Sequence, residues 1–212
     1  MVKLTKRPLP PNPITSEKDY RSEPNFSAIV EDCYGKCYIC ENDNATTLNV
    51  EHRIPHRGDK RIKYDWQNLY LSCGHCNNIK SDSYDDIIDP TQRDPEDCIS
   101  LSMKTNTLVE NVIVEALIDD KSVMQTVSLL GVVYNSGTTV IKKLESANLR
   151  NALSECLARF LQYIENYRNE PELGYDAIIE KEISRASAFA AFKRGIIRNS
   201  TELSIKFKEM LV

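Results

Sequence analysis

Two Cys-x-x-Cys pairs, Cys37-Tyr38-Ile39-Cys40 and Cys73-Gly74-His75-Cys76, stand 32 residues apart in a chain of 212. Each pair has the spacing that wraps two thiolates around one ion, and two pairs supply the four ligands of a closed tetrahedral zinc site. A site of this kind ties the intervening residues into a loop clamped at its base, and folding of that stretch then depends on metal. Structural zinc is therefore expected on Cys37, Cys40, Cys73 and Cys76. The remaining cysteines, Cys33, Cys98 and Cys156, read as buried or incidental thiols, with Cys33 alone close enough in sequence to compete as a ligand. The N-terminus has no apolar leader and no stretch has the length of a bilayer span, so a cytoplasmic protein using its thiols for metal rather than disulfides is expected, with no membrane partner.

A zinc clamp alone needs no carboxylate, imidazole or carboxamide, yet the loop carries Glu51-His52 and Asn68, and Asn77 follows the last cysteine. Glu51 offers a hard oxygen and Asn77 an amide oxygen to a second ion, Mg²⁺ or Mn²⁺, which would keep open positions for phosphate and water. His52 is the candidate general base, since a neutral imidazole near pH 7 can take a proton from water attacking a phosphodiester. Side chains alternate along a strand, so Glu51 and His52 are expected to face opposite sides, one the ion and the other the water. Asn68 completes the catalytic set by holding the His52 segment through its amide rather than by doing chemistry.

The formal charge of −4 is unevenly spread. Residues 1–80 carry 12 Lys/Arg against 10 Asp/Glu, and residues 81–212 carry 15 against 21. A polyanion is steered by local field more than by net charge. Arg53, His56, Arg57, Arg61 and Lys80 are accordingly candidate nucleic-acid contacts, with Lys80 equally able to cap its helix and His56 equally able to sit in a solvated loop. The acidic remainder suits protein contact better than phosphate.

The chain divides by pattern into an N-terminal arm and helix (1–35), a zinc-held module (36–95) and a mainly helical region (96–212). Prolines at 8, 10, 11 and 13 keep residues 1–14 extended. Short strands should flank Glu51-His52, and a helix should open at Asn77. The β-branched run 107–117 reads as a strand, paired with 99–103. Beyond Asp120 the chain turns helical, with one apolar face over Leu149, Leu153, Cys156, Leu157, Phe160, Leu161 and Ile164 ending before Pro171. A second face runs over Tyr175, Ile179, Ile183, Ala186 and Phe189, and a last short helix covers about 202–211. The fold class is α+β.

Taken together, Lys36-Cys-Tyr-Ile-Cys-Glu41, Glu51-His52, Tyr64-Asp-Trp-Gln-Asn-Leu69, Leu71-Ser-Cys-Gly-His-Cys-Asn-Asn-Ile-Lys80 and Ile88-Asp-Pro90 resemble the HNH endonucleases, the ββα-metal nucleases with a four-cysteine zinc. The nearest likeness is to the PtuB nuclease subunits of bacterial Septu and retron-associated anti-phage systems. The resemblance covers about a quarter of the chain. It implies His52 as base, Glu51 and Asn77 as metal ligands and Asn68 as loop stabiliser. It departs from many HNH enzymes in having Glu rather than Asp before the histidine, and the final H of the name is Asn77. It further implies cleavage of DNA or an RNA such as tRNA, a bacterial cytoplasmic setting, and a PtuA-like ABC-type ATPase as partner. The alternatives are a zinc-stabilised nucleic-acid-binding adaptor without cleavage and a stand-alone restriction-type HNH enzyme.

Overall fold

The computed structural model describes residues 1–105 and 110–211. It is a mixed α+β structure with two separate two-stranded antiparallel sheets and a helical C-terminal region. Residues 1–16 form no regular element, as their prolines require, but the arm is packed down: Met1, Val2 and Leu4 are buried and the Leu4 amide donates to Pro90 O at 2.9 Å. Lys6 lies over the rings of Trp66 and Tyr70, 4.7 and 4.6 Å from their centroids, and donates to the carbonyls of Trp66 and Leu69. Its burial pulls the ammonium down to about 8.

Helix α1 (Glu17–Arg21) starts at Ser16 in a capping box with Asp19, and α2 (Asn25–Asp32) follows. Strand β1 (Leu48–His52) pairs with β2 (Leu69–Cys73) in the register Leu48↔Cys73 to His52↔Leu69. The connection holds a single helical turn, α3 (Lys60–Lys63), and β2 runs directly into α4 (Gly74–Lys80). This is a ββα unit. Asn77 therefore stands inside α4 and not at its opening, because Cys73 caps the helix by accepting from the Cys76 amide.

Strand β3 (Ile99–Thr105) pairs with β4 (Glu110–Ala116), Ile99 opposite Ala116. The expected strand pairing is present, although positions 107–109 of the expected run lie outside the described residues. Helix α5 (Lys121–Asn135) is capped by Asp120, and the 30-residue α6 (Val140–Asn169) by Thr139. The face expected on α6 is buried except at Leu161, which is 50% exposed. The second expected stripe is not one helix. Its first part is α7 (Tyr175–Ile183), while Ala186 and Phe189 lie in the non-helical segment 184–189, where Phe189 is left-handed and leads into α8 (Ala190–Arg198). Helix α9 (Thr201–Lys206) and a 3₁₀ turn to Met210 complete the described chain.

One apolar cluster gathers Leu4, Ile29, Trp66, Leu71, Ile88, Val112, Leu129 and Leu153, so it takes residues from all three stretches distinguished in the sequence. Charged side chains are buried in α8: Arg194 meets Glu96 at 2.9 Å and Lys193 meets Glu182 at 2.6 Å. Among the described residues no helix is long and apolar enough to cross a membrane.

Candidate active site

The four-cysteine cluster joins the turn ahead of β1 to the junction of β2 and α4. Cys37 and Cys40 lie in the turn after α2, whereas Cys73 ends β2 and Cys76 sits in the first turn of α4. Their four Sγ atoms lie within 4.8 Å of one another, and all four residues are buried. No disulfide joins them; Cys40 Sγ and Cys73 Sγ stand 3.9 Å apart. That matches the edge of a tetrahedron with metal–sulfur bonds of about 2.3 Å, roughly 3.8 Å. Burial opposes charge on Cys37, yet hydrogen bonds from Cys40, Cys73 and Cys76 hold it well below the usual thiol range, while Cys40 and Cys76 are pushed up. Four crowded thiols of this kind are short of positive charge, and the cluster is compatible with a zinc ion. Cys33 stays outside it: its sulfur accepts from the Leu71 amide at 3.3 Å, and burial lifts its thiol to about 12.

The β1–β2 ladder carries this fixed point to Glu51 and His52. Both line one cavity of about 490 Å³ together with Pro55, His56, Arg57, Asn77, Asn78, Ser81 and Asp82. The two were expected to face opposite sides of the strand, but both border the same space. Glu51 Oε1 accepts an ion pair from Lys80 Nζ at 2.8 Å, and the same Nζ donates to His52 O at 2.8 Å. Burial nevertheless leaves the Glu51 carboxyl above its usual range. Among the described residues, no hydrogen bond or ion pair engages Glu51 Oε2 or the Asn77 side-chain amide. A free carboxylate oxygen and a free amide oxygen on one cavity wall fit a hard divalent cation with open positions.

His52 Nε2 lies 2.9 Å from Lys63 O. A carbonyl only accepts, so Nε2 carries the hydrogen and Nδ1 of the neutral ring carries the lone pair. Burial pushes the ring below the usual histidine value, with smaller contributions from the charges around it, so it is neutral at pH 7. The ring packs edge-on against Tyr20 at 5.8 Å and against His56 at 4.8 Å. His56 Nδ1 accepts from the Gly58 amide, which leaves Nε2 as its donor toward the cavity.

Asn68 does not line the cavity. It is buried, accepts from the Ile54 amide at 2.7 Å and donates to Ile54 O and Ile62 O, which ties together the segment leaving β1 and the end of α3. Of the five expected nucleic-acid contacts, Arg57 lines the cavity, bonded to Asp82 O and Asp85, and Arg61 is 91% exposed beside Asp59. Arg53 turns inward to Ile87 O and Asp89, and Lys80 is fully buried beneath Glu51. These two are engaged within the fold: Arg53 is 16% exposed and holds a carbonyl and a carboxylate, and for Lys80 leaving Glu51 would strand a nearly buried carboxylate. Sequence reading missed Tyr20 and the inward use of Lys80. The signal for Lys80 was its spacing, one turn beyond the buried Cys76 on the same helix face.

Residues 37–83 match the family model described as HNH endonuclease, so the chain contains an HNH endonuclease domain. No curated protein and no solved structure matches the chain.

Proposed function

We propose that the protein is a metal-dependent endonuclease that hydrolyses phosphodiester bonds of nucleic acid, with His52 as general base, and that it serves as the nuclease of a PtuB-like anti-phage complex governed by a PtuA-like ATPase. The observation that carries the chemistry is the convergence of Glu51, His52 and Asn77 on one cavity, with His52 Nε2 occupied by Lys63 O. Glu51 and Asn77 would hold Mg²⁺ or Mn²⁺. Bound there, the ion supplies charge neutralisation for the attacked phosphate and the leaving 3′ oxygen.

His52 takes the proton of the attacking water at Nδ1. The imidazolium that forms keeps its Nε2–H bond to Lys63 O, so the ring need not reorient during the step. His56 Nε2 and Arg57 are the cavity's donors for the phosphate. Asn68 keeps the distance between β1 and α3 fixed, so that the Lys63 carbonyl stays under the ring. The step uses water and not a ribose hydroxyl, so DNA and RNA, including tRNA, are both chemically acceptable. The defence role and the ATPase rest on the sequence resemblance, on the acidic balance of residues 81–212 and on the helical character of the chain after 120.

The test is cleavage of plasmid DNA and of tRNA by the zinc-loaded protein with and without Mn²⁺ or Mg²⁺. Metal-dependent cutting that falls by about 10²–10⁴-fold in His52→Ala, with zinc content retained, is expected from loss of a general base. Binding without cutting of either polymer, with and without the co-expressed ATPase, would leave a zinc-stabilised adaptor instead.

A further inference from the structure

The His52 ring is not held by the HNH domain alone. Its Nε2 bond ends on Lys63, the last residue of α3, and Lys63 Nζ pairs with Glu17 of α1 at 2.5 Å. Tyr20, also of α1, is 1% exposed and stands against the His52 ring at 5.8 Å with an interplanar angle of 86°. Residues 17–21 lie outside residues 37–83 and carry no HNH motif. Tyr20 still packs edge-on against the imidazole, which also meets the ring of His56.

The helix itself is fixed from both ends. The Asp19 carboxylate accepts from Thr15 and from the Ser16 amide, and Asn25 of α2 donates to Asp19 O at 3.0 Å while also bonding both backbone groups of Asn12. A five-residue helix cannot hold its shape from propensity. These bonds replace that missing stability and keep Tyr20 in register with His52.

We infer that Tyr20 is a positioning residue for His52, and that α1 completes the nuclease site from outside the HNH domain. An aromatic ring edge-on to the imidazole restricts its rotation about the bond to the backbone. Nδ1 is thereby kept aimed at the water while Nε2 stays on Lys63 O. A smaller or non-aromatic side chain leaves room for the imidazole to swing off the carbonyl, and both nitrogens then lose their assigned roles. Tyr20 touches neither substrate nor the reacting atoms and acts only through His52.

The inference rests on the nuclease reading, and two measurements on the full-length zinc-loaded protein keep the two apart. The first uses no substrate: long-range ¹⁵N–¹H spectra of histidine-labelled protein, with the His52 signals assigned from His52→Ala. Wild type and Tyr20→Phe should show the Nε2–H form of His52, and Tyr20→Leu should show mixed or exchange-broadened forms. The second is turnover of supercoiled plasmid with Mn²⁺. Tyr20→Leu should lower kcat about tenfold with KM and zinc content unchanged within about twofold, and Tyr20→Phe should restore the wild-type rate, since misplacing a catalytic group by even 1 Å costs up to about 10². Leucine fills the apolar space, so folding is preserved where Tyr20→Ala could fail. An unchanged His52 spectrum in Tyr20→Leu overturns the positioning role whatever the activity. Equal plasmid turnover by wild type and His52→Ala instead defeats the nuclease reading and leaves the spectroscopic result to stand or fall alone.

Discussion

Lys80→Met should be costly in a way that depends on Glu51 and on pH. Lys80 is fully buried, the Glu51 side chain is 9% exposed, and the two meet at 2.8 Å. Methionine keeps most of the stem volume, so the perturbation is chiefly a carboxylate left without its counter-charge. Removing one member of a buried pair costs about 3–5 kcal/mol, and because Glu51 borders an open cavity the lower end, about 3 kcal/mol, applies. In a chain of this length each kcal/mol moves Tm by about 2–4 °C, so the expected loss is about 6–12 °C. Burial already holds the Glu51 carboxyl above its usual value, and without Lys80 it rises further. An acid whose folded pKa exceeds its unfolded one loses stability as pH climbs from the unfolded value through the folded one. The deficit should therefore be larger near pH 8 than near pH 5. Thermal unfolding of zinc-loaded wild type, Lys80→Met, Glu51→Gln and the double variant, without added Mg²⁺, provides the cycle. The double variant should recover most of the loss, because glutamine carries no charge to strand. A Lys80→Met protein within about 1 °C of wild type, or losses that simply add, would refute the pairing as a determinant of stability.

Cys73→Ser should release zinc and unfold the ββα unit, since the cysteine belongs to the four-sulfur cluster and also caps α4; atomic absorption and circular dichroism report this, and retained zinc with full activity would contradict it. Glu51→Gln and Asn77→Ala should raise the Mn²⁺ concentration needed for half-maximal cleavage, with partial recovery at high metal. Asn68→Ala should instead lower stability by about 1–3 kcal/mol through the orphaned Ile54 groups, with no shift in metal demand. The acid limb of the pH–rate profile should fall below the ordinary histidine value of 6.5, because burial of His52 disfavours its charged form and a cation beside Glu51 acts in the same direction. An acid limb above 6.5 would count against His52 as the base.

The parts legible in the sequence are those where chemistry fixes spacing. Two chelating cysteine pairs leave little freedom for what lies between them, and β-branched or capping residues marked β1, β4 and α5. Lysine and arginine were harder, because their long stems let the same residue face water or bury itself. Arg53, Lys80, Lys193 and Arg194 are all inward-facing, each matched to a carboxylate that lies 11 to 98 residues away. A one-dimensional pattern of charge carries no trace of such pairing. Tyr20 was illegible for the same reason. Its role comes from a ring 32 positions further along, brought near by the hydrogen bonds of Asp19 and Asn25 and not by any periodicity. The apolar stripe from Tyr175 to Phe189 misled because helical spacing continues through residues 184–189, where the backbone turns instead.

The helical half is built into the four-cysteine cluster. Tyr134 of α5 donates to Cys40 O at 2.8 Å and packs edge-on against Phe192 of α8. His75, between the last two cysteines, bonds Val133 O and Glu145 at the junction of α5 and α6. Glu41, directly after Cys40, accepts from the Ala191 amide and pairs with Lys36, whose Nζ also donates to Ser187 O. Each bond ends on a residue within one position of a cysteine of the cluster, and the Tyr134, Glu41 and Lys36 bonds are buried or nearly so, where an unmade hydrogen bond is expensive. A movement of α5, α6 or α8 cannot leave the knuckles undisturbed. The β1–β2 ladder then transmits a shift at Cys73 directly to His52, four residues of register away. A protein docking on the helical region would thus act on the nuclease site through packed structure. Control by a partner needs no separate linker or lid in this arrangement, only a helix displaced by about the difference between a made and a broken hydrogen bond.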